Sequence, residues 1–276
     1  MAVRMKNNRW KYKRTNRDFF ADLRNFIVEQ VQDIKEVNEQ ISVLDQLSEN
    51  PDFDRLANEA ARRMVVQTSV DNARTWREAA KKSMRGRFVY QALRSELRNK
   101  NAFQNLIDQS ALNIKTLPRH VAARIVKRVG MLTMQGRRSS EIAQIIAKEL
   151  MPYAKASSLL IARTQYSKTL TAINETRSTS VGIKAYVWHS VGGPRVRDSH
   201  KFMDDVICFW SEPPCPEQLA KIPMKEYSFY HPGGIYNCRC YSEPILSVDD
   251  VTWPHRVQYR GKITRMSRKT FTSLIK

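Results

Sequence analysis

The chain has 276 residues, which suggests one or two domains, and its 42% of apolar residues exclude a chain that is disordered by bulk composition. Only 9 glycines argue against an all-β protein rich in tight turns. The 47 basic and 27 acidic residues give a net charge of +20, which favours contact with polyanions over a basic protein that is merely soluble.

The N-terminal segment is basic and polar. Residues 1–17 carry seven basic and no acidic groups, so we interpret them as a flexible basic arm or as a frayed terminus without a role. The segment lacks the apolar stretch of a signal peptide, and no run of apolar residues is long enough to predict a membrane span. We therefore expect synthesis in a cytoplasm and no membrane partner.

Residues 18–48 carry the longest helical pattern. Apolar residues recur at intervals of three or four, with one interval of seven, from Phe20 to Leu44, which is the period of an amphipathic helix. Asn50 and Pro51 are expected to end a rod of about 45 Å. We expect its apolar stripe to pack on its own domain. A coiled coil with a second copy or a docking surface for a partner is the alternative.

Residues 52–138 continue as helices with basic faces. Segment 18–61 has a net charge of −8, whereas segment 62–138 has a net charge of +14. Solvated helix faces favour Arg and Lys in any protein, but this surplus favours contact with phosphate, and such contact is independent of base sequence. The candidate contacts to the DNA backbone are Arg9, Lys11, Lys13, Arg14, Arg77, Lys81, Lys82, Arg85, Arg87, Arg124, Lys127 and Arg128.

Two short segments combine aromatic and basic residues. They are RWKYKR at 9–14 and WPHRVQYR at 253–260. An aromatic ring flanked by cations can stack on a base while the cations hold phosphate. An interface aromatic in a flexible tail is the alternative for both segments.

After residue 139 the helical pattern gives way to a strand. A short helix is predicted from Ser139 to Leu150, and a further helix over 154–181 follows Pro152. The alternation in residues 183–190 predicts a strand.

The rest of the chain has weaker patterns. A Pro-rich, irregular stretch runs from 211 to 237, and residues 248–257 are a second, weak strand candidate. The predicted fold class is α+β, in which a mainly helical N-terminal region precedes a small α+β domain with an irregular, cysteine-bearing end.

The four cysteines lie in one stretch, at Cys208, Cys215, Cys238 and Cys240. In a reducing compartment this clustering favours metal binding or buried thiols over disulfides. Cys238 and Cys240 offer two soft ligands, and the candidates to complete the four that zinc prefers are His200, His231, Cys208 and Cys215. The C-x-C spacing is closer than that of a zinc knuckle, so cysteines that pack as small apolar groups are the alternative.

The sequence offers no clear catalytic site. Several reactive residues are near neighbours, namely His189, Asp198, Ser199 and His200, but catalytic triads are assembled across a fold, and no G-x-S-x-G motif is present. Asp204 and Asp205 are adjacent, so in a strand they point to opposite faces, and surface acids are the simpler interpretation. We predict that the protein is not an enzyme.

A set of motifs in the second half resembles a known family. In order, the motifs are IARTQYSKTLTAINETRS at 161–178, G-x-x-x-Y-V-W at 182–188, RVRDSH at 195–200 and NCRC at 237–240, with Pro244 after them. Together they resemble the phage Mu F-type minor head protein family, also called phage head morphogenesis proteins. The resemblance covers roughly residues 100–246.

This resemblance implies a domain organisation and a setting. We expect a basic arm at 1–17, a helical region at 18–99, the head morphogenesis domain at 100–246 and a basic tail at 247–276. The resemblance implies a minor component of the procapsid and virion that contacts the portal protein and acts in head assembly, DNA packaging or DNA ejection. The implied partners are the portal protein, the major capsid or scaffolding protein and double-stranded DNA. Localisation would be inside the head, near the portal, after synthesis in the bacterial cytoplasm.

The chain departs from the family pattern near the candidate metal site. Some relatives carry a Cys-x-x-Cys pair where this chain has residues 197–200, so His200 is the residue that can replace a ligand. This gives His200, Cys238 and Cys240, with His231 as the first candidate for a fourth ligand to zinc. The alternative functions are a DNA-delivered enzyme or effector and a generic nucleic-acid-binding regulator.

Overall fold

A computed structural model of the chain describes residues 18–81, 90 and 100–275. The chain divides into two compact units, each built from separate segments. Among the described residues, the helical unit comprises 18–66 and 101–165, and the sheet unit comprises 67–81, 90, 100 and 166–275. The expected basic arm at 1–17 lies outside the described residues.

The described helices and strands confirm the predicted α+β class. The helices are α1 (Ala21–Val31), α2 (Val37–Leu47), α3 (Pro51–Lys81), α4 (Lys100–Ile114), α5 (Leu117–Met134), α6 (Ser139–Ser180), α7 (Asp198–Phe202), α8 (Pro216–Leu219) and α9 (Arg268–Leu274). The strands are β1 (Ala185–His189), β2 (Val206–Phe209), β3 (Tyr241–Pro244), β4 (His255–Tyr259) and β5 (Lys262–Met266).

The helical unit has one apolar core. The stripe predicted from residue 20 onward faces this core, because Leu23, Ile27 and Val31 of α1 and Leu44 of α2 are all buried. Further apolar residues join them from α3, α5 and α6. The stripe therefore packs on its own unit, which was the expected outcome.

The prediction of one continuous helix over 18–48 is wrong. Helix α1 ends at Val31 and α2 begins at Val37. The two helices contact each other, and α2 also contacts α5, whereas two ends of one rod cannot touch. The helix breaks because the apolar side chains before and after the break are both buried in the core of the helical unit. The buried side chain of Gln40 donates to the carbonyl of Ile34 at 2.7 Å and so satisfies a backbone group in the turn.

Helix α6 is longer than the pattern predicted. Two helices were expected on either side of Pro152, but one helix runs from Ser139 to Ser180 through this proline. A proline inside a helix costs about 3 kcal/mol. Leu150 and Ala154, which flank it, are both buried in the core, and this packing offsets the cost.

The described residues of the sheet unit form a sheet of five strands in the order β3-β1-β2-β4-β5. The pairs β1–β2, β1–β3 and β4–β5 are antiparallel, and β2–β4 is parallel. The strand predicted over 183–190 is confirmed as β1. Successive side chains of β1 point to opposite faces of the sheet. Tyr186 and Trp188 therefore pack in one apolar cluster, and Ala185 and Val187 pack in another.

The segment 247–276, interpreted from the sequence as a basic tail, is folded instead. It supplies β4, β5 and α9, and the predicted second strand at 248–257 is displaced to His255–Tyr259. Trp253 packs against Phe271 of α9 at a ring distance of 5.0 Å. Val257 is buried between strands of the sheet, which explains why this segment folds despite its charge.

A buried polar network fastens the helices of the sheet unit to its edge strand. The Asn174 side chain on α6 accepts hydrogen bonds from Asn72 at 2.8 Å and from Trp76 at 3.0 Å, both on α3. Its Nδ2 donates to the carbonyl of Ser242 on β3 at 3.1 Å. One amide thus links three elements, which is efficient because a buried polar group must be satisfied.

Candidate metal centre

Three residues of the sheet unit bring their metal-binding atoms together. The Nδ1 atom of His200 lies 3.3 Å from the sulfur of Cys240 and 3.5 Å from the sulfur of Cys238. The three ligand atoms all lie within 4.8 Å of one another. The side chains are 2%, 2% and 4% exposed for His200, Cys238 and Cys240, so the cluster is closed to bulk solvent.

Two local structures place these ligands. His200 lies in the short helix α7, which packs on α8. At the start of α7, the backbone N–H of His200 donates a hydrogen bond to the carbonyl of Arg197. Cys238 and Cys240 lie just before β3, which pairs with β1 and so fixes the second cysteine beside Trp188. The ligands are therefore carried by two segments that the sheet brings together.

Gly233 shapes the chain around Cys238. Its backbone N–H donates to the Cys238 sulfur at 3.3 Å. It has a φ of +84°, and a Cβ at this position would lie 2.9 Å from the carbonyl oxygen of Ser167. Only glycine combines this backbone conformation with this close approach to α6.

The two sulfurs have opposite electrostatic environments. A hydrogen bond from the Cys240 thiol is the main cause that lowers the pKa of Cys238, and burial opposes it. The same hydrogen bond and burial raise the pKa of Cys240. Of the two sulfurs, Cys238 is therefore the one whose surroundings favour the thiolate, which is the form that binds metals.

The residues present fit zinc. Two sulfurs and one imidazole nitrogen are ligands that zinc prefers. For a tetrahedral ion with ordinary bond lengths, sulfur and nitrogen ligands lie about 3.6 Å apart, close to the distances of 3.3 and 3.5 Å found here. Within residues 18–81, 90 and 100–275, no fourth His, Cys, Asp or Glu joins the group.

The other candidate ligands lie elsewhere. The Nδ1 of His231 is 2.8 Å from the hydroxyl of Tyr186, and burial lowers the pKa of His231 to about 4. Cys208 is buried on β2, and burial raises the pKa of its thiol. Cys215 is buried at the start of α8. The geometry thus groups His200, Cys238 and Cys240 without His231.

The residues considered for catalysis do not converge. Ser199 donates to Glu217 at 3.0 Å, while His189 lies 2.7 Å from Glu243 on the edge strand. The ring nitrogens of His200 face other groups, since Nδ1 faces the two cysteines and Nε2 lies 3.0 Å from the hydroxyl of Tyr230. The hydroxyl–imidazole–carboxylate arrangement of a hydrolase is therefore not formed by these neighbours.

The candidate DNA contacts fall into three groups. Arg77 and Lys81 on α3 are exposed, as are Arg124 and Lys127 on α5. Arg128 is half-buried and binds Glu149 through two hydrogen bonds of 3.0 and 3.1 Å. Seven further candidates lie outside the described residues: Arg9, Lys11, Lys13, Arg14, Lys82, Arg85 and Arg87.

The segment at 253–260 does not form a free stacking surface. Trp253 is packed and donates its indole N–H to the carbonyl of Val248 at 2.9 Å. His255 is buried, and Arg256 lies over the ring of Phe202 at 5.1 Å. These contacts contradict both interpretations of this segment, which were base stacking and an interface aromatic in a flexible tail. The Trp253 ring packs in the core of its own unit instead. The similar segment at 9–14 lies outside the described residues.

Sequence reasoning missed the groups that support the ligands. Gly233 donates to a ligand sulfur, Trp188 packs edge-on against His200 at 5.6 Å, and Tyr230 and Glu217 lie behind the His200 ring. Gly233 and Tyr230 lie in the loop just before Cys238, but none of these four residues stands at a spacing that is typical of a metal motif. The HPGG sequence at 231–234 was the one local sign of a special backbone there.

Comparisons with known proteins agree with the resemblance found in the motifs. Residues 123–243 match the family described as "Phage Mu protein F like protein". A protein of Haemophilus influenzae described as "Uncharacterized protein" is 30% identical over 133 residues, which are 48% of this chain and 27% of that protein. The chain thus spans about a quarter of that relative's length. No solved structure matches the chain. Among the described residues, no helix has the length and apolarity needed to cross a bilayer.

Proposed function

We propose that this chain, whose residues 123–243 are a Phage Mu protein F like segment, is a minor head protein of a tailed phage and serves the virion as a structural component. The family match is the observation that carries this proposal. The matched residues run from α5 to β3 and include His200, Cys238 and Cys240. We further propose that the protein contacts the portal and acts in head assembly, DNA packaging or DNA ejection.

The proposed role of the metal centre is structural. Zinc held by His200, Cys238 and Cys240 would tie α7 to the segment that leads into β3. These two segments flank a small cluster around Trp188 in a part of the chain with little regular structure. A metal stabilises such a region because its binding free energy adds to the free energy of folding.

The proposed DNA contact depends on exposed cations. Arg77 and Lys81 are four residues apart and Arg124 and Lys127 three, which is about one helical turn, and all four are exposed. Such charges bind phosphate without reading bases. We therefore expect binding with little sequence preference and a steep dependence on salt.

Self-association through residues 18–48 is not part of the proposal. The stripe that would have supported it is buried in the core of the helical unit, with Leu23, Ile27 and Leu44 each at most 1% exposed. A partner cannot dock on side chains that already fill a core. The portal protein and the major capsid or scaffolding protein remain the proposed partners.

The head location is tested by mass spectrometry of purified particles. Phage heads are isolated with and without their encapsidated genome, and the chain is quantified relative to the major capsid protein. We expect a few copies per head, retained on assembled shells. A chain that is found free in infected cells and is absent from every assembled head contradicts the proposal.

The DNA contact is tested by the salt dependence of binding. Substitution of Arg124 and Lys127 by Ala in one variant is expected to weaken binding for all sequences alike and to reduce the slope of log K against log salt by about 2. Arg55→Ala is the matched control, because Arg55 is exposed but pairs with Glu59 at 3.2 Å in the acidic part of the chain. Fluorescence anisotropy with two unrelated duplexes measures both effects. A strong preference for one duplex would favour the regulator instead.

A further inference from the structure

A chain of hydrogen bonds lies behind the imidazole of His200. Its Nε2 is 3.0 Å from the hydroxyl oxygen of Tyr230, and this hydroxyl is 2.7 Å from Oε1 of Glu217. The same carboxylate oxygen accepts the hydroxyl of Ser199 at 3.0 Å. The opposite nitrogen of the ring, Nδ1, is the atom that faces Cys238 and Cys240.

The direction of these hydrogen bonds follows from the chemistry of the groups. An ionised carboxylate can only accept, so Glu217 receives the protons of both hydroxyls, from Ser199 and Tyr230. The Tyr230 oxygen is then left as an acceptor for the N–H at Nε2 of His200. In a neutral imidazole that carries its proton on Nε2, the Nδ1 atom has a free lone pair. This lone pair points at the two sulfurs, where a metal ion would lie.

Packing and backbone hydrogen bonds hold Tyr230 and Glu217, the two residues behind the His200 imidazole, in place. The backbone N–H of Tyr230 donates to the carbonyl of Pro214 at 3.0 Å. The Tyr230 ring packs near Trp188 and His200, with centroid distances of 6.2 and 5.9 Å. Glu217 lies in α8, which contacts α7, the helix that carries His200. The relative positions of carboxylate, phenol and imidazole are therefore set by packing.

We propose that Glu217 and Tyr230 are positioning residues for zinc: they hold His200 in the tautomer and orientation that present Nδ1 to the ion. This inference rests on the proposed zinc centre and extends it beyond its three ligands. Partners of this kind that hold a ligand ring typically change metal affinity by about 10–100-fold when they are removed. The neighbouring Ser199 supports the carboxylate in the same way.

The test compares Tyr230→Phe with Tyr227→Phe in the full-length protein. Both substitutions remove one hydroxyl from the loop that precedes Gly233, but the Tyr227 hydroxyl donates to the carbonyl of Ile222, away from the cluster. Zinc affinity is measured by competition with a chromophoric chelator. We expect about a 10–100-fold loss for Tyr230→Phe and no change for Tyr227→Phe.

A second measurement reads the imidazole itself in zinc-free protein. Long-range ¹H–¹⁵N NMR spectra report which ring nitrogen of His200 carries the proton. We expect the Nε2–H tautomer in the wild type and a mixture of tautomers in Tyr230→Phe. A residue that merely fills the core would change the thermal midpoint of the zinc-free protein but not this tautomer.

A pair of variants at Glu217 covers the case in which Tyr230→Phe does not fold. Glu217→Gln keeps an oxygen that can accept from Tyr230, whereas Glu217→Ala removes it. We expect a small loss of zinc affinity for the first variant and a loss as large as that of Tyr230→Phe for the second. Equal affinities of the two variants would overturn the positioning role.

The outcomes separate this inference from the proposal on which it rests. If the wild type binds zinc and Tyr230→Phe binds it equally well, the positioning role is overturned and the zinc centre stands. A weaker affinity with an unchanged tautomer would also overturn the positioning role, because the loss then comes from packing. If the wild type binds no zinc, the metal centre and the positioning role both fail, while the head location is decided separately by the particle measurement.

Discussion

The two units of this protein are stabilised in different ways. Within the described residues, the helical unit has one continuous apolar core, to which α1, α2, α3, α4, α5 and α6 all contribute. In the part of it that the structure describes, the sheet unit has three smaller apolar clusters, together with the Asn174 network and the His200–Cys238–Cys240 group. Regular helices bury apolar surface efficiently, whereas short strands and irregular loops leave small cores that need specific polar or metal contacts.

The largest effect is expected in the core of the helical unit. Phe53 is fully buried, with its ring 6.0 Å from that of Phe26. Phe53→Ala should lower the free energy of unfolding by about 3–5 kcal/mol, because it leaves a cavity. Urea denaturation followed by circular dichroism measures it. Leu112→Ala, at a position on α4 that is 63% exposed, is the control and should change stability by less than about 0.5 kcal/mol. Equal losses for both variants would contradict the single-core description.

An intermediate effect is expected from the loop that supports Cys238. Gly233 and Gly192 both have positive φ angles, of +84° and +72°, but only Gly233 would also place a Cβ against backbone. Gly192→Ala should cost about 1–2 kcal/mol from its backbone conformation alone. Gly233→Ala should cost more and should also weaken zinc binding, because it displaces the N–H that contacts the Cys238 sulfur. Chemical denaturation and chelator competition measure the two effects. Identical behaviour of the variants would contradict the role of the close approach.

The smallest effect is expected from a half-exposed ion pair at the start of the helical unit. The hydrogen bond from Arg24 lowers the pKa of Asp18, and partial burial opposes this shift. The pKa of Asp18 is lower in the folded than in the unfolded state. The ion pair therefore adds to the free energy of unfolding above about pH 4, and this stabilisation disappears as the pH falls through the folded-state pKa. Asp18→Asn should therefore cost about 0.2–1 kcal/mol at neutral pH and nothing in acid.

Urea midpoints of the wild type and Asp18→Asn at neutral and acidic pH measure this difference. Asp45→Asn, at an exposed acid on α2, is the control and should leave the urea midpoint nearly unchanged. A difference between wild type and Asp18→Asn that persists unchanged in acid would contradict the assignment to the ion pair.

The sequence predicted the helical unit well where the helical spacing of apolar residues alone decides which side chains are buried. The apolar positions Leu23, Ile27, Val31 and Leu44 were found from spacing alone, and all are buried. The break between α1 and α2 and the passage of α6 through Pro152 were missed. Both depend on packing between helices, which outweighs the local preference of a residue, and packing cannot be seen in the pattern of a single helix.

The sheet unit was predicted less completely. The alternation around Trp188 identified β1, and the weak strand candidate at 248–257 overlaps the start of β4, whereas β5 was assigned to the basic tail. Both strands are short and charged, and their place in the sheet depends on the parallel pair β2–β4. His200, Cys238 and Cys240 were chosen from residue chemistry and a family resemblance. Glu217 and Tyr230 were missed since their contact with His200 exists only in the folded chain.

Hydrogen exchange with and without a zinc chelator tests the contrast between the units most directly. The account predicts that the purified protein contains one zinc ion per chain. It also predicts that removal of zinc by the chelator accelerates amide hydrogen exchange in segments 198–202 and 230–244. Exchange in α1 and α5 of the helical unit should stay unchanged. Absence of zinc from the purified chain, with the same exchange in both units whether or not the chelator is present, would contradict it.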